Sequence, residues 1–167
     1  MWRALLAMGV TLSAGGGVSA SPTALVGDPC LLLTAADVSK AFGIPADRRL
    51  SVTKKDSNFM DACSYEIRSD SLKRPLVVVA VFAIKDLTTV GGRVWTEQFF
   101  GRAGWKYQQT VVNGEPCTIG TGSGVSSTVA CQRDRGSQRI VVSYEGKSAA
   151  AHASATASLL VLASTSR

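Results

Sequence analysis

The chain is poor in the residues that build familiar reaction centres. It contains one histidine, His152, in 167 residues. A hydrolytic triad needs a base bonded to a nucleophile and oriented by an acid. No G-x-S-x-G elbow accompanies His152 and the serines are scattered, so a place on the surface or flank of a helix is expected for it, not catalysis. None of the twelve acidic residues shows metal-ligand spacing and no cysteine pair has C-x₂-C spacing, so neither metal nor cofactor is expected. No run approaches the roughly 20 apolar residues of a membrane-spanning helix; "LLVLA" at 159–163 is far too short. No run of five like charges occurs, which argues against a nucleic-acid tail. No repeat of solenoid period appears.

At the N-terminus, Arg3 precedes the apolar, small-residue stretch "ALLAMGVTLSAGGG", and "VSA" at 18–20 has the form of an A-x-A cleavage site. That order of parts predicts a secretory signal peptide over residues 1–20, and an exported, periplasmic or secreted, protein. A loose leader at 21–27 and one domain at 28–167 would follow. Removing Arg3 with the signal lowers the net charge from +6 to about +5. The basic residues Arg48-Arg49, Lys54-Lys55, Lys73-Arg74, Arg133, Arg135 and Arg139 read first as solvated surface. The competing reading is a face that docks an anionic partner or envelope polymer.

All four cysteines, Cys30, Cys63, Cys117 and Cys131, lie beyond the signal. An even number in a small exported domain implies a disulfide framework with three possible connectivities. An echo favours one of them. "GDPC" at 27–30 is followed by Ala62-Cys63, and "GEPC" at 114–117 by Ala130-Cys131. Joining each acid-Pro-Cys to its own Ala-Cys gives Cys30–Cys63 and Cys117–Cys131. In each copy proline stiffens the approach to the sulfur.

Local signals outline the elements. Thr34, Asp37 and Gly43 punctuate a helix in "LLLTAADVSKAFG", with Ala35, Val38, Ala41 and Phe42 as its buried stripe. Residues 44–60 read as loop with a short strand at 50–53. Strands are expected from Cys63, at 76–84, at 105–112, after Cys117, across 125–133 and at 139–145. Asn113-Gly114 is the strongest hairpin signal. A helix is expected over 86–100 despite Gly91-Gly92, and another from Ser148, with Ala151, Ala155, Leu159 and Leu162 as its packed side. The order predicts an α+β fold: an antiparallel sheet of five or six strands with three helices packed on it.

The glycine-rich "GTGSG" at 120–124 precedes a strand and is followed by no lysine, so a hairpin tip is expected in place of a phosphate cradle. Trp95, Phe99, Phe100, Trp105 and Tyr107 crowd into thirteen residues. Core packing is the plain reading. The sharper one is a partly exposed aromatic groove, with Trp95, Trp105 and Tyr107 as grips and Arg93, Arg102 and Lys106 as rim.

"DPCLLLTAADV", followed downstream by "CSYE", resembles a group of small exported domains abundant among actinobacterial lipoproteins, which begin D-P-C-x-L-L-T. The resemblance covers residues 28–66. It implies an α+β domain with a disulfide between Cys30 and Cys63, and no reaction. The chain departs from the group in having no cysteine before Cys30 for lipid attachment. The function expected is a non-enzymatic binding module of inhibitor or immunity type, whose partner is a protein or envelope polymer. A small envelope hydrolase using carboxylates and a ligand-sensing domain are the alternatives; acids distant in sequence can meet in space.

Overall fold

A computed structural model describes residues 27–45, 47–57, 60–67, 77–84, 102–122 and 127–166. Residues 1–26, over which a signal segment and most of a leader are expected, Lys73-Arg74, and the helix expected over 86–100 with Arg93 and Trp95 lie outside the described residues.

The fold is α+β, with one antiparallel sheet of seven strands among the described residues where five or six are expected. The strands are β1 (Leu50–Asp56), β2 (Asp61–Ile67), β3 (Val77–Ala83), β4 (Lys106–Val112), β5 (Glu115–Thr121), β6 (Ser127–Arg135) and β7 (Gln138–Gly146). Their spatial order is β1-β2-β3-β7-β6-β5-β4. Two meanders, β1 to β3 and β4 to β7, therefore meet at the β3–β7 seam, where Val79 faces Val142. Among the described residues there are two α-helices, α1 (Ala35–Ala41) and α2 (Ala153–Thr165), with short 3₁₀ turns at Pro29–Leu31 and Ala149–His152.

Helix α1 begins and ends as its sequence dictates. The Thr34 hydroxyl accepts from the Asp37 amide at 3.1 Å, and the Asp37 carboxylate accepts from the Thr34 amide at 2.8 Å. The Thr34 hydroxyl also donates to the Asp37 carboxylate at 2.6 Å, and this bond, followed by the one from the Thr34 amide, holds the Asp37 carboxyl below its ordinary range. Gly43, at φ +61°, closes the helix as Ile44 N–H donates to Ser39 C=O. Of the expected stripe only Val38 is buried; Ala35, Ala41 and Phe42 are half-buried.

Sheet alternation separates two apolar layers. Cys63, Tyr65, Val77, Val79, Val129, Cys131, Ile140 and Val142 form one cluster with Leu32, Leu33, Val38, Ala153, Ala157 and Leu160. Ala62, Ala80, Phe82, Ala130 and Val141 form a second, on the opposite face. Helix α2 packs on β6 and β7. Its buried side is Ala153, Thr156, Ala157, Leu159, Leu160 and Ala163, whereas Ala151 and Leu162 of the expected stripe are exposed and Ala155 is half-buried. Alanine and leucine stand on nearly every side of α2, so apolar periodicity alone does not pick out its buried face.

Both expected disulfides are present. Their settings differ. Asp28 accepts from the Cys30 amide at 2.9 Å and so caps a 3₁₀ turn, which Cys30–Cys63 staples to β2. Cys117 and Cys131 are direct cross-strand partners on β5 and β6. The second copy of the echo is a strand entered from a tight hairpin: Asn113 and Gly114 have φ of 52° and 82°, the two positive values of a type I′ turn. The repeated tetrapeptide thus aims a sulfur in two unrelated backbones.

Tyr65 joins this scaffold to the N-terminal turn. It is fully buried and its hydroxyl donates to Leu33 C=O at 2.7 Å. Burial, reinforced by the charges of Asp37 and Asp28, pushes its pKa up to about 12. The fold therefore favours the neutral phenol more than the unfolded chain does, where the pKa is about 10. The resulting stability is complete below pH 10 and is lost as pH rises from about 10 to about 12. Urea midpoints measured across that window should fall by the equivalent of about 2 kcal/mol in the native protein, and much less in Tyr65→Phe.

Candidate functional site

Trp105 and Tyr107 flank Lys106, so strand alternation puts the two rings on one face of β4 and Lys106 on the other. The rings lie with centroids 6.3 Å apart and planes 22° from parallel. What seats them is glycine. Tyr107 stands opposite Gly120, and a Cβ added there would lie 2.7 Å from Tyr107 Cε1. A Cβ on Gly122 would lie 2.5 Å from Trp105 Cε2. Gly120 and Gly122 are two of the three glycines of "GTGSG", and their bare backbone lets the rings settle onto the sheet. Gly120 and Thr121 end β5 and Gly122 follows it, and the two glycines serve as an aromatic seat; Ser123 and Gly124, where a hairpin tip is expected, lie outside the described residues.

Arg102 clamps the pair. Its guanidinium carbon sits 4.8 Å from the Trp105 ring centroid, a cation–π distance. Its amide donates to the Tyr107 hydroxyl at 2.8 Å. Its two terminal nitrogens donate to the Glu145 carboxylate at 3.1 and 3.0 Å. These bonds to Glu145 raise the guanidinium pKa above its ordinary value, so Arg102 remains charged. Tyr107, Gly120, Thr128 and Glu145 fall in one cross-strand row, the shortest path from the sheet edge to this carboxylate.

Farther along the same face, a depression of about 300 Å³ is lined by Gln109, Val111, Pro116, Thr118 and Gln132, with Thr110 and Cys117. Its walls carry amides, a hydroxyl and apolar carbon, and no charge. Val111 is 71% exposed. Trp105 and Tyr107 are half-buried, leaving part of each ring at the surface. The structure thus brings Trp105, Tyr107 and Arg102 together and sets exposed Lys106 apart from them. Sequence reading missed Gly120, Gly122, Glu145 and the depression, because their proximity depends on strand register.

His152, Lys54, Arg133, Arg135 and Arg139 have structural partners. His152 is half-buried, with its ring centroid 4.6 Å from that of Tyr144 and 5.5 Å from that of Phe42. Arg133 binds Glu115, Arg139 binds Asp134 at 2.6 Å, and Arg135 donates to Ser166 C=O at 3.0 Å, so these three arginines tie the scaffold together. Lys54 bridges Asp28 at 3.7 Å and Asp56 at 3.4 Å. The Asp37 and Asp134 carboxyls are each held below their ordinary range by hydrogen bonds, from Thr34 and Arg139 respectively. A general acid needs the opposite shift. Among the described residues no group of three or more histidines, cysteines or acids is arranged to hold a metal ion. No described helix is long and apolar enough to cross a membrane.

No protein-family profile matches the chain, and no curated protein matches it.

Proposed function

We propose that this is a non-enzymatic exported binding module that engages a protein or polymer of the cell envelope, in the manner of an inhibitor or immunity protein. The observation that supports this reading most is the pre-ordered aromatic pair leading into an uncharged depression on one sheet face. Rings fixed by glycine seats and an arginine clamp lose little freedom on binding, so more of their contact energy becomes affinity. Aromatic and arginine side chains are also the groups that dominate binding hot spots. The two disulfides and the N-terminal segment favour an oxidising compartment.

A photo-crosslinker at Gln132 in the exported protein tests the reading. The expected outcome is a discrete adduct heavier than two copies of the chain. It should be lost in Trp105→Ala and in Gly122→Val, which displaces the indole without removing it. Absence of any such adduct, or an adduct indifferent to both substitutions, would overturn the proposal.

A further inference from the structure

The sheet ends in two edges of different character. β1 carries Lys54, Lys55 and Asp56 along its second half, the charged guard with which proteins discourage strand addition. β4 reads KYQQTVV, and after Lys106 it has neither a charge nor a proline.

Hairpin geometry identifies the β4 backbone groups that face outward. A two-residue turn closes on a hydrogen-bonded pair, here Val112 with Glu115. Alternation then makes Thr110·Cys117 and Gln108·Ile119 the next bonded pairs. Tyr107, Gln109 and Val111 must direct their N–H and C=O groups away from β5. Two facts agree with this assignment. Pro116, opposite Val111, has no N–H to give. Cys117 and Cys131 are only 4.0 Å apart at Cα, as befits the closer, non-bonded type of pair on the β5–β6 side.

We infer that β4 pairs antiparallel with β4 of a second copy, about a two-fold axis through Gln109. That register joins the outward-facing residues to one another: Gln109 to Gln109, and Tyr107 to Val111 of the second copy, in both directions. The three pairs would exchange about six backbone hydrogen bonds. Each Tyr107–Val111 contact is an aromatic–β-branched pair, a favourable cross-strand combination. It also shields Val111, the most exposed residue of the strand's apolar side chains. On the opposite face Gln108 meets Thr110, and Lys106 meets Val112, so no like charges oppose. The two sheets become one, and both depressions lie on the same continuous face. This inference does not depend on the binding reading, because it rests on the edge alone.

Sedimentation equilibrium of the processed protein, up to about 1 mM, should show reversible association to twice the monomer mass. Gln109→Pro removes one outward donor and leaves the β4–β5 bonds intact; it should weaken association about tenfold or more. Because proline could disturb the strand itself, charge variants give a second route. Gln109→Lys and Gln109→Glu place like charges across the axis, and each should be monomeric with an unchanged melting curve. Mixing the two should restore a dimer containing one of each. A monomeric native protein at every concentration, as expected were a foreign strand the true occupant, would overturn the inference. So would association that survives the substitutions, or charge variants that fail to recombine.

Discussion

Replacing Cys30 and Cys63 with alanine is expected to cost nearly 4 kcal/mol. Replacing Cys117 and Cys131 is expected to cost about 3. The difference comes from the closed loops, with sequence separations of 33 and 14. Chain-entropy arithmetic converts loop length into stability only logarithmically, so the longer loop gains less than one additional kcal/mol. Against a typical total of about 5–15 kcal/mol, the loss of both would leave little or no folded protein at body temperature. Alanine is the right replacement because Cys63 and Cys131 are completely buried, and serine would add an unsatisfied hydroxyl. The two losses should also differ in where they are felt. Cys117 and Cys131 stand in a ladder that already fixes their separation. Cys30 holds a 3₁₀ turn whose other ties include the partly exposed Asp28–Lys54 pair. Urea unfolding gives the sizes, and hydrogen exchange gives the location. The Cys30/Cys63 variant should lose protection around residues 28–33 before the sheet opens, whereas the Cys117/Cys131 variant should open as a unit. Losses under 1 kcal/mol in both variants would contradict the entropic account.

What the sequence revealed was local, and what it concealed depended on strands distant in the chain. Thr34 and Asp37 are three residues apart, and Asn113-Gly114 dictates its own turn; both could be read directly. The cysteine pairing was legible through an echo of four residues, although the two copies share no backbone conformation. For β1 the sequence predicts a four-residue strand at most, at 50–53, where the structure has seven residues. Along the edge from Thr53 to Asp56 every residue is exposed, so no apolar alternation marks it. Helix α2 offers alanine and leucine on nearly every side, so periodicity alone cannot tell Leu160 and Ala163, which are buried, from Leu162, which is exposed. At the candidate site, Trp105 and Tyr107 announced themselves as neighbours on one strand face. Glu145 could not, because it lies 43 positions beyond Arg102 and reaches it only when β6 and β7 are in register. The same holds for the glycine seats. A glycine in a strand signals close approach by something, and only the register names the ring.

Arg133→Ala should destabilise the protein by about 3 kcal/mol, several times more than Glu115→Gln, although both changes delete the same ion pair. Glu115 is 4% exposed and lies at the start of β5, next to the hairpin that Asn113 fastens to Ser154 on α2. Arg133 Nε donates to Glu115 Oε2 at 3.0 Å, and a second guanidinium nitrogen bonds Oε1. Both carboxylate oxygens therefore depend on one side chain. The arginine is less committed, with 38% of its side chain exposed. Deleting Arg133 strands a buried negative charge, and leaving such a charge unpaired typically costs about 3–5 kcal/mol. The lower end applies because the departing guanidinium opens a path for water. Deleting the charge on Glu115 instead leaves an arginine that can turn toward solvent, while glutamine keeps the shape and one acceptor. That should cost about 1 kcal/mol. The double variant Glu115→Gln/Arg133→Ala is the decisive member of the series. With no charge left to strand, it should recover at least half of the Arg133→Ala loss. Chemical denaturation of the native protein and three variants completes a double-mutant cycle. If Arg133→Ala is as mild as Glu115→Gln, or if the double variant is merely the sum of the two, the buried carboxylate is not what makes this corner of the sheet sensitive.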